Sequence, residues 1–304
     1  MPPGIGPATR IKPDSPGSPM RAAPWNAVVV TAIDPPISLS SPHGSVVAYA
    51  HGAQVVQWTP AGAAESALWL SPRADLDSAS AIRGGIPVCF PWFGPGRDGN
   101  MTPAHGFART ATWELVEAAA DDAGARMRWL LDASMAADPK FPFAYAAELE
   151  VQAAAELTVA LRVRNDGQEA LSYEDALHAY LAVSDVEGIR IVGLDGAEYA
   201  DKARGGITAI QRGDLTIRGE TDRAYRSTSR IEVHDAQRTL VIEKSGSAST
   251  VVWNPGAALA SRMADIGSGL WRGFVCVEAG NVLGDAVRLA PGADHVTAYR
   301  LAVR

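Results

Sequence analysis

From about residue 27 onward the chain is a succession of short stretches in which apolar and polar side chains alternate. Leu157, Val159, Leu161 and Val163 take every second position, with Thr158, Ala160, Arg162 and Arg164 between them. Asn165-Asp166-Gly167 then supplies a turn. A period of two sends alternate side chains to opposite faces, so this run predicts a half-buried antiparallel strand and its exit. Similar runs predict strands at Val28 to Ala32, Gln54 to Thr59, Arg126 to Leu131, Arg230 to Val233, Thr239 to Glu243, Thr250 to Trp253, Gly273 to Glu278 and Val296 to Val303. Turn residues separate several of them, as at Asp121-Asp122-Ala123-Gly124, Asp235-Ala236-Gln237 and Ala290-Pro291-Gly292-Ala293-Asp294. Helical periodicity is weak throughout. Its best stretch is Ala257 to Ile266, with Pro255 before it and Gly267 after it as start and stop signals.

Many short strands, short turns and almost no helix predict an all-β chain folded as one large antiparallel sandwich. No repeat of about 20–50 residues is visible, which argues against propellers and solenoids. Residues 1 to 24 are rich in Pro, Gly and Ser and lack a hydrophobic period. They read as a disordered arm ahead of a single domain spanning 25–304.

Composition narrows the function classes. Of 304 residues 47% are apolar and 20% charged, enough for a large core. The formal charge is −7 without any long Lys/Arg run, so nucleic acid is a poor partner. An acidic small ligand would need a local arginine pocket within that repelling field. No run of about 20 strongly apolar residues predicts a membrane span. The first 24 residues hold seven prolines and no signal-like apolar core, so the protein is expected in the cytoplasm. Cys89 and Cys276 are far apart, each inside an apolar run. They are expected to be buried hydrophobes rather than a disulfide.

Several segments do not fit plain strands. Arg83 to Pro95 packs three Gly, three Pro and three large aromatics into 13 residues, which no regular central strand accepts. It reads as a rigid aromatic loop, able to present Arg83 and a stacking wall to a sugar. In Ala104-His105-Gly106-Phe107-Ala108-Arg109, Gly106 allows close backbone approach and Arg109 offers a donor fork to phosphate or carboxylate. Alternation through Leu177 to Leu181 puts His178 and Tyr180 on one face. Glu278 ends the predicted apolar strand Gly273 to Glu278, a costly place for a carboxylate unless it faces a pocket, and a natural one for a general base. The six histidines show no HxH or HExxH spacing, and no phosphate-cradling glycine motif or GxSxG elbow is present. The chemistry expected is acid–base, with no metal and no cofactor.

Taken together, Ile82 to Gly94, His105-Gly106-Phe107-Ala108-Arg109, His178-Ala179-Tyr180 and Cys276-Val277-Glu278-Ala279-Gly280-Asn281-Val282 resemble the glucose-6-phosphate 1-epimerases of the aldose 1-epimerase superfamily. The likeness runs over roughly residues 27 to 304. It implies a galactose-mutarotase-like β-supersandwich and interconversion of the α and β anomers of a hexose 6-phosphate. It also implies His178 as general acid, Glu278 as general base, and Arg83, His105 and Asp222 as sugar-binding groups. Arg83 and Arg109 are the positions expected to take the phosphate. One stretch departs from the family: after Asn254-Pro255 it usually has Trp, then Lys three residues on, where this chain has Gly256 and Leu259. Arg262 is the candidate to replace that lysine. The alternatives are an epimerase of unphosphorylated aldoses, a non-catalytic carbohydrate-binding protein, or a glycosidase using Glu278 with Asp222.

Overall fold

The computed structural model describes residues 35–76 and 79–304. The strand expected at Val28 to Ala32 and the arm expected at 1–24 lie outside the described residues. Two eight-stranded sheets dominate, and every strand pair in them is antiparallel. The first runs Ile207–Ile210, Glu198–Asp201, Thr221–Arg226, Ser249–Asn254, Phe274–Asn281, Asp175–Leu177, Val88–Cys89, with Tyr180–Ala182 also paired to Phe274–Asn281. The second holds the strands from Glu114–Asp121 to Leu157–Asn165, then Asp294–Val303, Thr239–Ser245, Ile231–His234 and Arg190–Val192. No helix among the described residues is long and apolar enough to cross a membrane.

The alternation read from the sequence is what closes the core. Leu157, Val159, Leu161 and Val163 are fully or almost fully buried, and they share one cluster with Val252, Val275 and Val277 of the first sheet. Each such side chain contributes about 1.5–3 kcal/mol on leaving water. A buried polar knot ties the two sheets together. Asp175, with no exposure, accepts hydrogen bonds from the Asn281 backbone N–H (3.1 Å), Asn281 Nδ2 (2.9 Å) and Thr297 Oγ1 (2.5 Å). Asn281 and Thr297 lie on the facing sheets, so one carboxylate fixes both.

Two expectations are corrected in detail. The helix expected over Ala257 to Ile266 stops at Ala260, because Gly256–Ala260 is only one turn long, and a second turn, Gly267–Leu270, begins at the residue expected to end it. Asn254 Nδ2 holds this excursion to the sheet through the carbonyls of Trp271 and Phe274, so tertiary bonds set the chain path. The strand expected to end at Glu278 runs on to Asn281, and all its residues are buried. Cys89 and Cys276 are free and buried as expected.

Candidate active site

The site grows from one face of the first sheet. Register places Asp222 opposite Trp253 and Trp253 opposite Cys276, while Ala224 faces Val251 and Val251 faces Glu278. Ala200 pairs with Ala224, and just past the end of the strand Glu198–Asp201 the 3₁₀ turn Lys202–Arg204 brings Lys202 to the cleft. Val251 and Phe93 belong to a small buried cluster with Cys89, Ala176, Ala224 and Val282, and these two also line a cleft of about 280 Å³. That is close to the lower end, about 300 Å³, of the usual range for small-molecule sites. Arg83, His105, Arg109, His178, Asp222 and Glu278 all line it, so the six residues named from the sequence meet in one place. Lys202, Phe93, Trp253 and Met263 line it with them.

His178 and Glu278 are 6% and 1% exposed, with His178 Nδ1 3.3 Å from Glu278 Oε1. The pair is close but not aligned for a hydrogen bond, and neither carboxylate oxygen has a hydrogen-bond partner. Burial pushes the Glu278 carboxyl well above its usual range; the Asp222 charge adds to this, while Lys202 and Arg109 oppose it. Burial likewise holds His178 well below the usual imidazole range, with His105, Arg109, Arg83 and Lys202 acting in the same direction. These opposite shifts leave the pair able to hold one proton near neutrality. His178 is kept in orientation by stacking on Tyr180, 4.9 Å between centroids and 10° from parallel, with Trp253 edge-on to it.

Arg83 is held from two sides. Its Nε donates to Asp265 Oδ2 at 2.7 Å and its Nη1 to the Tyr180 hydroxyl at 2.9 Å. Arg109 is different: Nη2 donates to the Ala104 carbonyl, while the buried Nε has no partner. Among the described residues no carboxylate pairs with Arg109. Lys202 Nζ lies 3.3 Å from Asp222 Oδ2 and 4.8 Å from the centre of the Phe93 ring. Arg262 is exposed on the turn after Gly256–Ala260 and does not line the cleft; nor does Leu259.

His105 has a fixed tautomer. The Gly94 backbone N–H donates to its Nδ1 at 3.3 Å, so the ring proton sits on Nε2 and can be offered to a ligand. Burial and the nearby Arg109, Lys202 and Arg83 keep this imidazole neutral. The ring reaches Gly94 because His105 and Gly106 both take left-handed backbone angles, φ +66° and +74°. A Cβ on Gly106 would fall 2.0 Å from the Phe90 carbonyl oxygen. Gly106→Ala is therefore expected to destabilise the fold by about 2 kcal/mol or more. A thermal midpoint equal to wild type would remove this turn as the device that holds His105.

Lys202, Asp265 and Glu174 were not singled out from the sequence. Asp265 ends the family-like stretch that begins at Trp253, but it is 182 residues from Arg83 and nothing in that stretch marks it as the partner of Arg83. Glu174 accepts from the backbone N–H groups of Phe93 and Leu283, which pins the aromatic loop beside the cleft. Asp201-Lys202-Ala203 offers no spacing signal, and only the contacts of the folded chain show where Lys202 points. Among the described residues no group of three or more His, Cys, Asp or Glu is placed to hold a metal ion.

Comparison with known proteins agrees with this geometry. The aldose 1-epimerase family model matches residues 35–302. A Salmonella typhimurium protein described as "Putative glucose-6-phosphate 1-epimerase" is 34% identical over 235 residues, 75% of this chain and 76% of that one. One from Cenchrus ciliaris with the same description is 31% identical over 268 residues, 81% and 77% of the two chains. The crystal structure of "a putative mutarotase" from Salmonella typhimurium superposes with a TM-score of 0.82 at 28% identity, covering 90% of this chain and 91% of that chain. A galactose mutarotase-like protein from Lactobacillus casei shares the fold at 13% identity and a TM-score of 0.70, over 89% of this chain and 100% of its own. With a galactose-mutarotase-like fold and a family match over nearly its whole length, the chain belongs to the aldose 1-epimerases, isomerases that act on small sugars.

Proposed function

We propose that the protein interconverts the α and β anomers of a hexose 6-phosphate, with glucose 6-phosphate the expected substrate. The domain doing so is taken as residues 25–304. The observation that carries the phosphate is Arg109, a cation in the cleft whose Nε has no hydrogen-bond partner and which forms no ion pair among the described residues. A guanidinium in that state is matched by a phosphate oxygen.

In this reading Glu278 takes the proton of the C1 hydroxyl as the C1–O5 bond breaks, and His178 gives its proton to O5. The open-chain aldehyde turns about C1–C2. His178 then removes the proton from the C5 hydroxyl, whose oxygen attacks the other face of C1, and Glu278 returns its proton to the former carbonyl oxygen. The pair ends as it began. A bound phosphate offsets the Arg83, Arg109 and Lys202 charges that depress His178, and so favours placing the shared proton on the imidazole. The Nε2–H of His105 and the Asp222 carboxylate supply a donor and an acceptor for sugar hydroxyls.

One observation favours the unphosphorylated alternative. Arg83 and Lys202 already have carboxylate partners, Asp265 and Asp222, so two of the three cleft cations are compensated internally. Anomer exchange followed by NMR on glucose 6-phosphate and on glucose separates the two. The phosphate ester is expected to be accelerated far more than the parent sugar. Acceleration of glucose alone would move the protein to the unphosphorylated branch. Arg109→Ala is expected to lower kcat/KM for the ester about 30-fold or more, the cost of losing one charge-assisted contact, and to touch glucose little. Equal losses on both sugars would remove Arg109 from the phosphate site.

A further inference from the structure

Three cations line the cleft, and they are held in different ways. Arg83 is braced by Asp265 and Tyr180, neither of which lines the cleft. Arg109 has no carboxylate partner. Lys202 alone of the three is paired to a carboxylate that is itself a wall of the site, Asp222. While that pair stands, one acceptor site of Asp222 Oδ2 is taken up by the ammonium and withheld from a sugar hydroxyl. The pair is a single contact at 3.3 Å between side chains only 27% and 22% exposed, so Lys202 leaves Asp222 only for a ligand that replaces the carboxylate as partner of its ammonium. Lys202 opens the 3₁₀ turn Lys202–Arg204 just before Gly205 and Gly206, and its four-carbon stem carries the ammonium to within 4.8 Å of the centre of the Phe93 ring. Its neighbour Asp201 is occupied by Arg223 and Arg204 and does not compete for it.

We propose that Lys202 is the specificity-determining residue that senses the substrate's phosphate, capping Asp222 in the empty cleft and leaving it for the phosphate when a sugar phosphate enters. A phosphate dianion offers about twice the charge of a carboxylate and three acceptor oxygens. Lys202 therefore transfers to it, and Asp222 is freed to accept from the sugar. A free sugar meets an Asp222 already engaged by Lys202 and has nothing to offer the ammonium in exchange. Discrimination against unphosphorylated aldoses then comes from the capped state as well as from contacts to phosphate. This inference rests on the hexose 6-phosphate reading above.

The test compares wild type, Lys202→Met and Lys202→Arg on glucose 6-phosphate and glucose. Lys202→Met is expected to lose about 30-fold or more in kcat/KM on the ester. Its kcat/KM on glucose should rise, because Asp222 is permanently uncapped, and Lys202→Arg should retain more of the ester preference than Lys202→Met. A parallel loss on both sugars, or an unchanged value on the ester, overturns the proposal. Inorganic phosphate supplies a second readout. It should tighten glucose binding to wild type several-fold by drawing Lys202 off Asp222, and this coupling should vanish in Lys202→Met. Phosphate that merely competes with glucose in wild type would also overturn it. A wild type without preference for the ester would instead remove the substrate reading itself, and the sensor with it.

Discussion

Glu278→Gln is expected to lower anomer exchange by about 10²–10⁴-fold while leaving the fold intact and, at neutral pH, raising its thermal midpoint. The loss follows because the amide is isosteric but takes no proton. The gain follows because Glu278 is buried among Cys276, Val277 and Ala279 with neither oxygen hydrogen-bonded, so wild type bears the cost of an unsatisfied acid in its core. Its folded-state affinity for a proton lies above that of the unfolded chain, whose value is near 4.5. Stability from this group is complete below that value and declines as pH rises through the raised folded value. The stability advantage of Glu278→Gln over wild type should therefore grow as pH is raised from about 4.5. Polarimetry or NMR exchange measures the first effect, and melting curves across pH measure the second. A variant with wild-type turnover would displace Glu278 from the chemistry, and one whose stability gap is flat with pH would contradict the assigned shift.

His178→Ala is expected to cost a similar factor, about 10²–10⁴ in turnover, and added imidazole should restore part of it. The variant leaves a ring-sized gap against the face of Tyr180 and beside Trp253, which a soluble imidazole can fill from the cleft. Arg83 keeps its bonds to Asp265 and Tyr180, so the rest of the site stays assembled. The pH signature has the opposite sign to that of Glu278. His178 binds its proton more weakly folded than unfolded, where the value is near 6.5. Its contribution to stability is complete above that value and is lost as pH falls through the lowered folded value. Wild type should be the more stable protein at pH 8, and its lead over His178→Ala should shrink on acidification below about 6.5. Turnover at the wild-type rate would dismiss His178 as a proton carrier. Loss of turnover that no concentration of imidazole repairs, in a folded variant, would point to collapse of the stack.

The sequence by itself determined the fold class, since a period of two is local and survives whatever the strand later pairs with. The runs expected from Gln54, Arg126, Leu157, Arg230, Thr239, Thr250, Gly273 and Val296 fall on strands, with Arg230 and Gly273 each one residue ahead of the strand's start. The proline- and glycine-laden stretch 83–95 yields only the two-residue strand Val88–Cys89. The strand Glu114–Asp121 was not legible, because Glu-Leu-Val-Glu-Ala-Ala-Ala-Asp has neither alternation nor strong strand formers. It exists as an edge against Gly124–Asp132, joined by a two-residue turn. Family motifs marked the six site residues, each as a separate local pattern; that they share one cleft is a product of register. Tertiary structure alone decided the electrostatics. Arg83 and Arg109 are the same residue type in sequence, yet one is bound to Asp265 and Tyr180 and the other, among the described residues, pairs with no carboxylate. Arg262 looked able to replace a missing lysine but lies exposed outside the cleft, whereas Lys202, in no motif, stands inside it. Which charges face each other depends on strand pairings tens to hundreds of residues apart, and no local pattern encodes those.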